Sequence, residues 1–164
     1  MKTPDTKTSL KTWYECPVCG NVLPQTPWLA RYDAPCSQCG YPLWCRRRLP
    51  STETILEVLP ERTPEPRDVQ KLVASLITQN AAALVTIDLS QLQIVDSAFV
   101  ARLISMNRSI HEAGGRFVLR GMCPSIREIF AQLHLDKAFE IVEDEQAVCD
   151  THRAAADSLD RDPH

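Results

Sequence analysis

The sequence predicts an α/β fold, a mainly parallel sheet with covering helices, preceded by a small cysteine-rich module. Three observations carry this. After residue 53, short apolar runs alternate with one-sided helical stripes, the pattern of strand–helix–strand units. Residues 13–45 hold all three Trp, all three Tyr and five of the seven Cys. Apolar residues make up 44% of the 164, enough for a real core in a domain of about 100 residues beside a smaller unit.

The elements follow in order. Residues 1–12, rich in Lys and Thr, read as a flexible tail. Residues 13–45 form the cysteine module, and Arg46-Arg47-Arg48-Leu49-Pro50 opens a linker over 46–52. The α/β body spans 53–158, with a flexible tail at 159–164. Within it Thr54–Leu59 is an apolar run and a strand. Pro64 and Pro66 open a helix, since proline is tolerated in a first turn. Val69, Leu72, Val73, Leu76 and Ile77 give that helix one apolar face. Ala83–Leu89 is a nearly continuous apolar run, the mark of a strand covered on both faces. A second helix over Ser97–Ala113 buries Phe99, Val100, Leu103, Ile104, Met106 and Ile110, and Gly114-Gly115 stops it. Phe117–Leu119 is a strand. After Pro124, Ser125 with Glu128 three residues on reads as a capping box for a third helix, with Ile126, Ile129, Phe130 and Leu133 inward. Phe139–Val142 is the last strand, and Glu143-Asp144-Glu145 opens a final helix with acids where the dipole favours them.

The strongest chemical signal is Cys16-Pro-Val-Cys19-Gly20 paired with Cys36-Ser-Gln-Cys39-Gly40, with sixteen residues between the pairs. Two residues between cysteines let one tight turn present both sulfurs to one metal, and the following glycine allows a positive φ. Four thiolates close a tetrahedral shell, so Cys16, Cys19, Cys36 and Cys39 predict one structural Zn²⁺ and no open catalytic position. The pattern resembles a zinc ribbon. Rubredoxin-like iron uses similar knuckles with a longer gap. Thioredoxin-type redox needs a single C-x-x-C at a helix start, which is absent. Trp44 beside Arg46–Arg48 reads either as a stacking-and-phosphate surface or as a solvated linker with one packed aromatic.

Other classes are disfavoured. The chain has five glycines and no Walker A loop, G-x-G-x-x-G or G-x-S-x-G. The histidines at 111, 134, 152 and 164 are scattered. The expectation is a protein that is not an enzyme and takes no small-molecule substrate. No apolar run approaches the roughly 20 residues of a membrane span, and Met1–Leu10 lacks a secretory h-region. An odd, scattered remainder of Cys45, Cys123 and Cys149 suits a reducing compartment, so the expected location is the cytoplasm. Residues 1–50 carry seven Lys and Arg against three Asp and Glu, and residues 51–164 eleven against eighteen. A basic head of +4 on a body of −7 suggests two units with different partners, though +4 neutralises few phosphates and argues against nucleic acid.

The stretch Val85-Thr-Ile-Asp88-Leu-Ser90-Gln-Leu-Gln-Ile-Val-Asp96-Ser97-Ala98-Phe99 runs from a buried strand through D-L-S to D-S at a helix start. It resembles the STAS domain of bacterial anti-sigma factor antagonists, and the likeness extends over roughly residues 53–150. The resemblance implies a STAS-like sheet and a regulatory binding protein in signal transduction. It would work by partner switching, docking a serine kinase that doubles as an anti-sigma factor and being reset by a PP2C-type phosphatase. Ser97 takes the phosphoacceptor position, and Asp88, Ser90, Asp96, Ala98 and Phe99 fall on the partner-binding segment. Ala98 stands where the family often has a second serine, and Phe99 where it has glycine. Only one of the family's two opening strands is evident. Two alternatives stand beside this reading: a STAS scaffold that binds protein without phosphorylation, and a nucleic-acid-associated regulator acting through the ribbon.

Overall fold

The computed structural model describes residues 13–23, 35–49, 51–60 and 62–143. Its elements are β1 (Trp13–Glu15), β2 (Cys45–Leu49), β3 (Thr54–Val58), α1 (Pro66–Thr78), β4 (Leu84–Asp88), α2 (Ser97–Glu112), β5 (Arg116–Arg120), α3 (Pro124–Gln132), a 3₁₀ turn at Leu135–Lys137 and β6 (Glu140–Ile141). The six strands form one sheet in the order β1-β2-β3-β4-β5-β6. The first two pairings are antiparallel and the last three parallel. The expected α/β body with a mainly parallel sheet is present, and each parallel step is bridged by a helix, the connection parallel strands require.

Local sequence accounts for the elements. Leu56 and Val58, Val85 and Ile87, and Phe117 and Leu119 share one core cluster with α1, α2 and α3, while the residues between them face the opposite side by the period of two. From α1 the core takes Val69, Leu72, Val73 and Leu76. Ile77, expected in that stripe, is 45% exposed, and Ile104 of α2 is 46% exposed; both sit at the edge of a stripe already filled by neighbours one turn away. Gly114 closes α2 at φ +83, as its sequence predicts.

Three expectations are corrected. The linker over 46–52 is strand along Arg46–Leu49, because β2 pairs with both β1 and β3. β2 therefore lies ahead of β3 in the sheet. Ser125 does not cap α3: Pro124 occupies the first turn and Cys123 the cap position, without a side-chain bond. The last strand is shorter than Phe139–Val142, since Phe139 turns into the core against Phe117 and Phe130 at ring centroid distances of 6.1 and 5.9 Å. The final helix, the tails at 1–12 and 159–164, and Cys149 lie outside the described residues. No helix among the described residues is long and apolar enough to cross a membrane.

Candidate functional site

The four predicted ligands come together. The sulfurs of Cys16, Cys19, Cys36 and Cys39 all lie within 4.8 Å of one another. Cys16 Sγ–Cys39 Sγ and Cys19 Sγ–Cys36 Sγ are each 3.7 Å. A tetrahedron with metal–sulfur bonds of about 2.3 Å has sulfur–sulfur edges of about 3.8 Å, so the donor set fits a tetrahedral thiolate metal site. Each knuckle is built alike. The Gly20 and Gly40 amides donate to Cys16 and Cys36 carbonyls at 2.9 and 2.8 Å, at φ +75 and +73, the conformation glycine takes without strain. Burial pushes the Cys16 thiol up to about 12. Cys36 is also raised by burial, but backbone N–H groups of Cys39 and Gln38 outweigh this and bring it down to about 7.

The knuckles are fused to the body. Cys16, Cys36, Tyr41, Trp44 and Cys45 belong to the same core cluster as the helices. Trp44 Nε1 donates to Tyr41 Oη at 2.8 Å, and Tyr41 Oη donates to the Asp68 carbonyl in the first turn of α1 at 2.7 Å. Gln79, at the far end of α1, donates to the Val18 carbonyl at 3.0 Å. Trp44 is 1% exposed, so it is not a stacking surface.

The three arginines are engaged as well. Register aligns Arg46, Glu57, Asp88 and Arg120 across four strands. Glu57 accepts from Arg46 at 2.7 Å, Arg48 at 2.8 Å and Tyr14 at 3.0 Å. Asp88 accepts from Arg48 and Arg120, both at 3.2 Å. Arg46 also lies 3.5 Å from the Tyr14 ring centroid, a cation–π geometry, and Arg47 reaches Glu15 at 3.5 Å. Both acids are buried. Burial raises the Glu57 carboxyl, but bonds from Arg48 and Arg46 hold it below its ordinary value. Asp88 is likewise raised by burial and lowered further by Ser90, Arg120 and Arg48.

At the start of α2 the candidate switch residues separate into two groups. Asp96, Ser97, Ala98 and Ser90 are exposed. Asp88 and Phe99 are buried, Asp88 within the ion-pair row and Phe99 as part of the helix stripe. Asp96 is the N-cap, its Oδ1 accepting from the Phe99 amide at 2.7 Å. Ser97 is the first helical residue, with no hydrogen bond to its hydroxyl among the described residues. Several neighbours escaped the sequence reading. Ile94 is 82% exposed beside the motif. Thr63 donates to Asp96 Oδ2 at 3.3 Å and Arg102 to the Pro64 carbonyl at 3.0 Å. Of these, only Ile94 carried a signal, as an apolar residue in a polar loop.

Residues 66–143 match the sequence profile of a family described as Mlab, STAS domain. The fold is therefore STAS-like, with the four-cysteine cluster N-terminal to the matched region. Among solved structures, the chain is similar to an anti-sigma-factor antagonist (STAS) domain protein from Planctomyces limnophilus, at 20% identity over 62% of this chain and 92% of that one, with a TM-score of 0.47. It is also similar to the Bacillus cell fate determinant SpoIIAA in its phosphorylated form, at 16% identity over 60% and 87% of the two chains, with a TM-score of 0.43. No curated protein matches it in sequence.

Proposed function

We propose that this protein is a non-enzymatic regulator of the anti-sigma factor antagonist type, whose docking to a protein partner is switched by phosphorylation of Ser97. By this reading the partner is a serine kinase that doubles as an anti-sigma factor, a PP2C-type phosphatase resets the switch, and the exchange takes place in the cytoplasm. One structural Zn²⁺ on Cys16, Cys19, Cys36 and Cys39 completes the fold. The observation that carries the proposal is the division of labour at the start of α2. Asp96 caps the helix, which leaves the exposed Ser97 hydroxyl uncommitted. A phosphate there adds about −1.5 to −2 charges, and the N-terminal end of a helix accepts negative charge. Asp96 makes the local surface more negative, so a partner shaped for a neutral hydroxyl is repelled while the fold persists. Asp88, neutralised by Arg48 and Arg120, supports the loop instead of facing the partner.

Ile94 favours protein docking at this surface with or without phosphorylation, which keeps the scaffold reading as the second choice. The test is phosphosite mapping of the protein recovered from its native cells, with affinity capture by wild type and Ser97→Asp. Phosphate on Ser97 and loss of one captured kinase by Ser97→Asp support the switch. Capture unchanged by Ser97→Asp, with no phosphate at Ser97, leaves the scaffold.

A further inference from the structure

Each knuckle of the cysteine cluster leads, through a tyrosine beside it, toward a different end of the loop that precedes Ser97. The second knuckle ends at Tyr41, whose carbonyl accepts from the Cys36 amide at 2.9 Å. The buried Tyr41 hydroxyl holds the Asp68 carbonyl in the first turn of α1 at 2.7 Å. Just ahead of that turn, Thr63 and Pro64 bond Asp96 and Arg102 of the α2 start. The first knuckle follows Tyr14, whose carbonyl accepts from the Leu23 amide at 2.8 Å, closing the turn around Cys16–Cys19. The Tyr14 hydroxyl bonds Glu57, Glu57 shares Arg48 with Asp88, and Asp88 Oδ1 accepts from the Ser90 amide at 2.9 Å. The first route, carried from Asp68 to Thr63 by the backbone itself, ends at Asp96, and the second ends at Ser90, the two ends of the segment that precedes Ser97.

We propose that the four-cysteine centre is a metal-responsive input to this surface: a bound divalent metal of the zinc class fixes the knuckles, and through Tyr41 and Tyr14 they fix the Ser90–Ser97 loop. The argument is mechanical. A tetrahedral thiolate site has a loaded state with one geometry and a metal-free state in which the knuckles keep only their backbone bonds and thiol contacts. The second knuckle's turn, closed by the Cys36 amide on the Tyr41 carbonyl, helps to set the position of Tyr41 in the core. Losing that turn releases the Asp68 carbonyl and, with it, the 62–65 segment that braces Asp96. The first knuckle acts in the same way on Ser90 through the ion-pair row. Coupling between the sites needs only that metal favours the braced arrangement over the released one. The use of this input rests on Ser97 lying in the docking surface proposed above; the coupling itself does not.

Amide hydrogen exchange reads the coupling without any partner or kinase, so its failure is distinguishable from failure of the Ser97 reading. The reporters are the Ser90 amide, bonded to Asp88 Oδ1, the Phe99 amide, bonded to Asp96 Oδ1, and the Asp68 amide, bonded to the Glu65 carbonyl. Reduced protein is compared with Zn²⁺ bound and after EDTA. Metal removal is expected to speed all three reporters by about five- to tenfold, the effect of loosening one buried bond, while β4 and β5 amides change by less than about twofold. Two zinc-loaded variants separate the routes: Tyr41→Phe should speed Phe99 and Asp68 but not Ser90, and Tyr14→Phe should speed Ser90 but not Phe99. Unchanged Ser90 and Phe99 exchange after EDTA would overturn the proposal. So would equal loss of protection in β4 and β5, which would make the metal a requirement of the whole fold. Reporters unmoved in both zinc-loaded variants would overturn it as well.

Discussion

Removing the Glu57 carboxylate tests the row of charges across the sheet. Glu57 is 2% exposed and accepts three bonds, from Tyr14, Arg46 and Arg48. Bonds to a charged group contribute about 1.5–3 kcal/mol each, so a simple sum would exceed 4. That sum is too large for two reasons. The Arg46 and Arg48 side chains are each 30% exposed, so water recovers part of their solvation, and Arg48 keeps Asp88 at 3.2 Å. The buried Nε atoms of Arg46 and Arg48 also lack an acceptor among the described residues, so the row already carries some desolvation cost. Discounting on these grounds leaves about 2–4 kcal/mol for Glu57→Ala, in the range for breaking a partly buried ion pair. Glu57→Gln, which keeps shape and one acceptor, should cost about half. The assay is urea unfolding of the zinc-loaded protein, where a loss near 3 kcal/mol moves the midpoint by about 1–2 M. The sign with pH follows from the shift. The folded carboxyl lies below its ordinary value, so its contribution is full above the unfolded value of about 4.3 and fades as pH falls through the folded one. The wild-type advantage over Glu57→Ala should therefore shrink below about pH 4. A cost under about 0.5 kcal/mol at neutral pH, the value of a surface pair, would refute the reasoning.

Other outcomes are expected. Purified, reduced protein should hold one zinc per chain by elemental analysis, and Cys36→Ser should lose it; iron in its place, or no metal, would refute the assignment. Asp96→Ala should cost about 1 kcal/mol through the lost cap, whereas Ser97→Ala should change stability by less than about 0.5 kcal/mol; equal costs would show that Ser97 shares the capping. No binding to generic duplex DNA is expected at physiological salt, because Arg46, Arg47 and Arg48 are each paired with a carboxylate; micromolar binding abolished by alanine at all three would restore the nucleic-acid reading.

The helices and central strands were legible because their signals are local. Val69, Leu72, Val73 and Leu76 spell one face of α1, and the run at 83–89 spells a buried strand whatever surrounds it. The cysteine site was legible for the same reason, since spacing and the two glycines fix each knuckle by itself. What sequence reasoning misread depends on pairing between distant segments. Arg46-Arg47-Arg48-Leu49-Pro50 has the composition of a linker, and nothing within it says that Glu57 and Asp88 will neutralise it from neighbouring strands. Ser125 fits the capping pattern, but Pro124 one residue earlier starts the helix first. Phe99 lies in the first turn of α2, next to exposed Ala98, and only the packing of α2 decides that its ring turns inward.

The buried acids were nonetheless a readable clue to β2. Thr-Ile-Leu-Glu57-Val and Val-Thr-Ile-Asp88-Leu each place one carboxylate inside an otherwise apolar strand, and a lone buried carboxylate is too costly to leave unpaired. Two such acids at matching positions of adjacent parallel strands demand cations on the flanking strands. Arg120 ends β5 on one side, and the only arginine run before the body, Arg46–Arg48, is available for the other. This pairing draws the segment out of a linker and into the sheet, and it carries the knuckles with it. The cysteine module is thus continuous with the α/β sheet. Strand pairing ties the knuckles to β2 and β3, and the Tyr41–Asp68 bond ties them to the first turn of α1.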